Sequence, residues 1–186
     1  MANIDNHELI GRAQRGDKAA VTALYEMYQQ RVFRYLYYQI GEDQTAEDLT
    51  TEVFLRMIKA LPRYRPQAPF QAWLFQIARN LGLDHLRRNQ RFPQIGLEDD
   101  LVWDGATPEQ YTERRLSSEQ LFRGLERLTA GQRDVVLLRF VTEMPVAEVA
   151  ATLDKSESAV KALQARGLEA LYRLLSEQQT TYDYTR

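Results

Sequence analysis

Residues 143–171 read EMPVAEVAATLDKSESAVKALQARGLEAL. Pro145 opens a short helix that runs to Leu153. Asp154 and Lys155 make a turn. Ser156 supplies a side-chain oxygen able to cap the next helix, which starts at Glu157 and runs to about Leu175. A short helix, a tight turn and a longer Ser-capped helix is helix-turn-helix spacing, and in that motif the second helix lies in the major groove of DNA. Its early outward positions are Ser158, Lys161, Ala162 and Gln164 or Ala165, with Arg166 one turn on. Lys161 and Arg166 suit a phosphate or a guanine edge, and Gln164 suits an adenine. Spacing alone equally fits a small helical bundle with a solvated polar face.

The same unit extends upstream. Thr129 with Gln132 is a capping-box start for a helix through Val135, Val136, Leu137 and Leu138. Before it, Leu121, Leu125 and Leu128 mark another helix. This gives a domain over residues 113–175, followed by a polar tail, 176–186, expected to fray. Residues 92–112 lose apolar periodicity and hold Pro93, Gly96, Gly105 and Pro108 together with a run of acids. They are expected to form a flexible linker.

Residues 1–91 then make a first domain, also helical by periodicity, and no strand alternation is found. A first helix is expected after Asp5, with Glu8 as its capping-box partner. Gly16 and Asp17 break and restart the chain. Val21, Leu24, Tyr25, Tyr28, Val32 and Leu36 recur at helical spacing. Residues 41–44 turn, and Thr45 is expected to cap a helix whose apolar face is Leu49, Val53, Met57, Ile58 and Leu61. Pro62 ends it, because a residue before proline avoids the helical region. After a loop with two prolines, Phe70, Trp73, Leu74, Ile77, Ala78 and Leu81 define a further helix.

Composition bounds the function. The chain has 186 residues, 44% hydrophobic, so it can build a core. It has no cysteine, which excludes disulfide scaffolds, thiolate zinc sites and thiol catalysis and fits a reducing compartment. No secretory leader is expected from MANIDNHELI, and no run of eighteen apolar residues exists to cross a membrane. The net charge of −2 conceals an uneven distribution. Residues 56–91 hold eight basic side chains and one acid, Asp84, whereas residues 92–119 hold seven acids and two arginines. Such a basic block is an electrostatic footprint for nucleic acid.

Within that block aromatics interleave with cations: Tyr64, Arg65, Phe70, Trp73, Arg79, Asn80, Arg87 and Arg88. Single-stranded DNA binding uses both, because aromatic faces stack on bases at about 1–3 kcal/mol each while cations track phosphates. Phe70 and Trp73 lie on the apolar stripe, where such residues more often pack into a core than meet a base. Tyr64, Arg65 and Asn80 fall off it. Just upstream, Asp48 and Glu52 share a helix face, which with Leu55 and Arg56 makes a surface fit either for a partner helix or simply for solvent.

Taken in order, these segments resemble the extracytoplasmic-function sigma factors of bacterial RNA polymerase. GDKAAVTALYEMYQQRVFRYL (16–36) resembles the start of sigma region two. AEDLTTEVFLRMIKAL (46–61) resembles the segment that grips the clamp helices of the β′ subunit, and RYRPQAPFQAWLFQIARNLGLDHLRR (63–88) the segment that opens and reads the minus-10 element. Residues 125–171 resemble region four, which reads the minus-35 element. The resemblance implies an all-α fold of two small helical domains. It implies core polymerase contacts at Asp48, Glu52, Phe54 and Leu55. It places minus-10 contacts at Tyr64, Arg65, Trp73, Arg79, Asn80, Arg87 and Arg88, with Tyr64, Arg65 and Asn80 at a pocket for a flipped base. It places minus-35 contacts at Ser158, Lys161, Ala162, Gln164 and Arg166. The recognition helix departs from many relatives in carrying Leu163 and Leu168 where arginines are common, and Gly167 where alanine is common. Implied partners are core RNA polymerase, mainly through its β′ clamp helices and also its β flap, promoter DNA, and an anti-sigma factor such as the family often uses.

Two other functions compete with this one. A conventional helix-turn-helix regulator explains residues 113–175 but not the basic, aromatic first domain. An enzyme finds no support: His7 and His85 are the only histidines, no phosphate-binding glycine loop is present, and no metal-ligand spacing or cofactor motif appears.

Overall fold

A computed structural model describes residues 2–89 and 120–183, and among them every regular element is helical. The first unit holds α1 (Ala2–Gln14), α2 (Lys18–Ile40), α3 (Asp43–Ala60) and α4 (Phe70–Asn89). The second holds α5, followed over residues 120–126, α6 (Ala130–Val136), α7 (Val146–Leu153) and α8 (Glu157–Asp183). The linker expected over 92–112 and the start of the second domain at 113 lie outside the described residues.

Local chemistry sets the boundaries. Gly16 takes a left-handed φ of 85°, and Asp17 caps α2 by accepting from the backbone N–H groups of Ala19 and Ala20. Gly41, at φ 82°, closes α2 by donating its N–H to the Tyr37 carbonyl at 2.8 Å. Helix α3 ends before Pro62, though not because Leu61 leaves the helical region as expected: Leu61 keeps φ −54° and ψ −40°, and the chain tightens into a single 3₁₀ turn, Leu61–Arg63, with Pro62 inside it. The Thr129–Gln132 capping box is present with both of its reciprocal hydrogen bonds.

Three helix boundaries differ from expectation. Helix α1 begins at Ala2, so Asp5 and Glu8 lie inside it rather than at its cap. Helix α3 begins two residues before Thr45; the extended Glu42 is its cap position, and the Thr45 hydroxyl donates to the Glu42 carboxylate. Helix α8 continues to Asp183, past the expected stop near Leu175, because residues 176–183 contain neither glycine nor proline to end it.

Helix α2 is the spine of the first unit, burying Leu24, Tyr28, Val32, Tyr35 and Leu36 against Val53, Phe54 and Met57 of α3 and Leu74, Phe75 and Ala78 of α4. Each aliphatic side chain so buried contributes about 1.5–3 kcal/mol. In the second unit α6 and α8 pack closely: a Cβ on Gly167 would stand 3.0 Å from Val136 Cγ2, which explains glycine there. The two units touch. Helix α4 lies against α7, α2 lies against the segment after α6, and one hydrophobic cluster runs through both units.

Candidate nucleic-acid and partner interfaces

Helix α3 presents two faces. Val53, Phe54 and Met57 face the core, with Phe54 only 4% exposed and its ring edge-on to Tyr25 at a centroid distance of 4.8 Å. Phe54 therefore supports the helix from beneath and is not available as a docking side chain, contrary to its expected place in the polymerase contact. Ile58, expected on the inner face, is 45% exposed and stands near Leu55, which is 46% exposed. The register explains the exchange: Thr50, Val53, Phe54, Met57 and Leu61 repeat on the buried side, leaving Leu55 and Ile58 outside. Asp48 is exposed on the same outward surface. Glu52 is half-buried and accepts from Arg56 Nε at 2.7 Å. The result is an acidic and apolar outer face.

After α3 the chain forms an aromatic corner. Tyr64 is held at several points: its hydroxyl donates to the Ala68 carbonyl at 2.8 Å, its own carbonyl accepts from Gln14 Nε2 at 2.9 Å, and its ring lies 4.8 Å from Trp73 and 5.7 Å from Phe70. Burial raises its phenol pKa. Trp73 is half-buried and also meets Phe70 at 5.5 Å. Tyr64, Arg65, Trp73 and Gln76 line a cleft of about 160 Å³, with Arg65 and Gln76 exposed. Further along α4, Asn80, Arg87 and Arg88 are exposed, and Arg87 has only a loose 3.8 Å pairing with Asp84. Arg79 differs: its Nε donates to Asp134 Oδ2 of α6 at 2.7 Å, so its charge is engaged by the second unit. Asp134 escaped the sequence argument because its partner lies 55 residues away.

The helix-turn-helix forms as the sequence implies. Asp154 ends α7 in a left-handed conformation, φ 51° and ψ 53°, and Ser156 Oγ accepts from the Ala159 N–H at 3.2 Å to start α8. Ser158, Lys161, Ala162 and Arg166 are exposed along one side of α8. Lys161 pairs loosely with Glu157 at 3.8 Å, and Arg166 Nε donates back to the Ala162 carbonyl at 3.2 Å. Gln164 is less free: its Oε1 accepts from Arg139 Nε at 3.0 Å, and Arg139 also donates to the Met144 carbonyl. Arg139 reaches both because residues Leu137–Val141 widen into a π-helical turn, where the Thr142 N–H reaches back five residues to the Leu137 carbonyl. That turn leaves Phe140 exposed, a surface ring that periodicity did not single out.

Among the described residues no group of histidine, cysteine and carboxylate side chains could hold a metal, and no helix is long and apolar enough to cross a membrane.

Known proteins share this arrangement. The family model for sigma-70 region 2 matches residues 24–92, and that for sigma-70 region 4 matches residues 124–173. The ECF RNA polymerase sigma factor BldN of Streptomyces coelicolor is 38% identical over 173 residues, covering 91% of this chain and 66% of that protein. The ECF RNA polymerase sigma factor SigX of Bacillus subtilis is 30% identical over 154 residues, covering 80% of this chain and 79% of that protein. The structure of CnrH in complex with the cytosolic domain of CnrY has the same fold, with a TM-score of 0.76 at 24% identity over 92% of this chain and 97% of that one. With both region models matched in order and relatives aligned along most of its length, the chain belongs to the extracytoplasmic-function group of RNA polymerase sigma factors.

Proposed function

We propose that the chain is a promoter-specificity subunit that docks on core RNA polymerase through the outer face of α3, reads a melted minus-10 strand with the Tyr64–Arg65 loop and α4, and reads a duplex minus-35 element with α8. The observation that carries this is the sequence of three chemically distinct surfaces within one sigma-type chain. An acidic and apolar helix face is followed by an aromatic and basic corner, and then by a helix-turn-helix with exposed Lys161 and Arg166. Each surface suits its target. Exposed apolar and acidic side chains favour a protein partner carrying basic and apolar groups. Aromatic rings beside cations favour single strands. A capped second helix suits an intact major groove.

The division has an energetic logic. A flipped base costs a few kcal/mol of stacking and pairing, which a pocket offsets. Duplex contacts by α8 hold the promoter in place while that cost is met. The protein acts by binding, without catalysis or cofactor, in the cytoplasm, and an anti-sigma factor belongs among its partners.

Run-off transcription with core polymerase across a promoter library tests the proposal. The expected result is core-dependent initiation at a limited promoter set. Sequence-specific duplex binding with no affinity for core polymerase would instead establish a conventional helix-turn-helix regulator.

A further inference from the structure

The π-helical turn after α6 sets the chemistry of one side chain on α8. Arg139 is half-buried within that turn, and the backbone around it is pinned. The Thr142 N–H donates to the Leu137 carbonyl at 3.2 Å, and the Met144 N–H donates to the Leu138 carbonyl at 3.0 Å. The buried Thr142 hydroxyl also donates to the Leu138 carbonyl, at 2.6 Å. From this fixed base the guanidinium spans two elements. Its Nη1 donates to the Met144 carbonyl just before α7, and its Nε donates to Gln164 Oε1 of α8 at 3.0 Å.

Arginine carries donors only, so the Gln164 atom that meets it is the oxygen, and the amide has one orientation rather than two. Gln164 is half-buried at the margin of the α8 surface, between the exposed Lys161 three residues before it and the exposed Leu168 four residues after it. A free glutamine amide pairs with adenine by accepting from N6 and donating to N7. Here the accepting half is engaged. The remaining lone pair of Oε1 stands beside the guanidinium charge, which opposes the amino group of adenine or cytosine. The donating half, Nε2, finds acceptors at O6 and N7 of guanine and at O4 of thymine.

We propose that Arg139 is a positioning residue for promoter choice: by holding Gln164 as a donor, it makes α8 read guanine or thymine, and not adenine, at one position of the minus-35 element. This replaces the adenine that residue type alone suggests for Gln164. The inference rests on the assignment of α8 to the minus-35 duplex.

The test uses the full-length chain on core polymerase and a promoter series carrying each base at each minus-35 position. With the wild-type chain, the position at which Gln164→Ala loses discrimination should favour guanine or thymine over adenine by about ten-fold. Gln164→Glu keeps an oxygen for Arg139 and puts an acceptor where the donor was. Its added charge weakens binding to every sequence, but the order at that one position should reverse, toward adenine or cytosine. Arg139→Met releases the amide, so adenine should rise there to at least the level of guanine, with the order at other positions kept. Loss of structural support alone would lower the thermal midpoint and overall binding without changing the base order. Three results overturn the proposal while leaving α8 as the duplex reader: a Gln164→Ala profile unchanged at every position, a wild-type preference for adenine at the Gln164 position, or an unchanged base order in either Gln164→Glu or Arg139→Met. A wild-type chain indifferent to every minus-35 base overturns both readings.

Discussion

Arg79 and Asp134 join the two helical units through a hydrogen-bonded ion pair of 2.7 Å, with the arginine side chain 29% and the aspartate side chain 5% exposed. Burial raises the Asp134 pKa, and the Arg79 charge and hydrogen bond only partly offset that rise. A pair in this balance adds little net stability, because desolvation consumes most of the Coulombic gain.

The balance has a sign that can be measured. Asp134 is faced by Arg79 from α4, by the buried Tyr35 phenol from α2 and by Arg133 on its own helix. Separating the two units would return its carboxyl toward the ordinary value of 3.8, so the arrangement with the units packed together, the closed state, binds the proton more tightly. The resulting stabilisation of the closed state is full below that ordinary value and is lost as pH rises through the raised closed-state pKa. Fluorescence transfer between dyes on α3 and α8 should therefore report more closed protein as pH falls from neutral toward that range. Asp134→Asn should flatten the response, and a slope of the opposite sign would refute the argument.

On α3 the outer and inner faces should fail in different ways. Asp48→Arg and Glu52→Lys should weaken binding to core polymerase without changing thermal stability, with the Glu52 change also losing the Arg56 pair. Leu55→Ser and Ile58→Ser should act in the same way. Phe54→Ala should instead destabilise the fold by about 3–5 kcal/mol, as buried aromatic truncations do. Calorimetry beside a core-polymerase pull-down distinguishes the two classes. If charge reversal at both acids left co-purification unchanged, this face would not be the docking site.

Local signals in this chain translated well into structure because each depends on neighbours in sequence. Asp17, Gly41, Pro62, Thr129 and Asp154 each end or start a helix through contacts within a few residues, and all are legible from residue type. The helix-turn-helix was legible for the same reason. Side-chain direction on α3 was less so: Phe54 and Ile58 exchange faces because an apolar stripe wider than one buried row admits two registers, and only packing against Tyr25 and α4 chooses between them. The Arg79–Asp134 pair, the Phe122 contact with α2 and the π-helical turn at Leu137 were not legible. All three depend on elements distant in sequence or on a widened backbone that composition does not encode.

Thr129 offers a test of the second unit alone. Its hydroxyl accepts from the Gln132 N–H, and Gln132 returns the bond to the Thr129 N–H at 3.0 Å. Thr129→Ala should lower stability by about 1 kcal/mol. Urea unfolding should show a lower midpoint with an unchanged slope, and an unchanged midpoint would mean that water replaces the cap without cost.

For α8, Lys161→Ala and Arg166→Ala should each weaken duplex binding across all sequences and lower the salt slope by about one. Gln164→Ala should behave differently. Its amide oxygen is fixed by Arg139, leaving its amide nitrogen to present to a base. Its loss should cost about 1–3 kcal/mol at one position of the minus-35 element and little elsewhere. Binding curves over a substituted minus-35 series check this, and uniform losses for Gln164→Ala would reassign it to the backbone.

The sharpest test sets the aromatic corner against the recognition helix on one pair of templates. A helix-turn-helix inserts into intact duplex, whereas a base enters a pocket only after it leaves the stack. Tyr64→Ala, Asn80→Ala, Lys161→Ala and Arg166→Ala should all reduce initiation on an ordinary promoter. On a template pre-melted across the minus-10 region the cost of unstacking is already met. Tyr64→Ala should recover in part, though not fully, since its ring also supports Trp73 and its hydroxyl fixes the loop at Ala68. Tyr64→Phe, which keeps the ring and loses only that hydrogen bond, should fall between wild type and alanine. Asn80→Ala should recover less, because the Asn80 amide is exposed on α4 and, under the proposed assignment, reads the base rather than holding the loop. Lys161→Ala and Arg166→Ala should gain almost nothing, since their target stays double-stranded in both templates. Equal recovery of all four variants would contradict this division of labour even in a chain that initiates transcription normally.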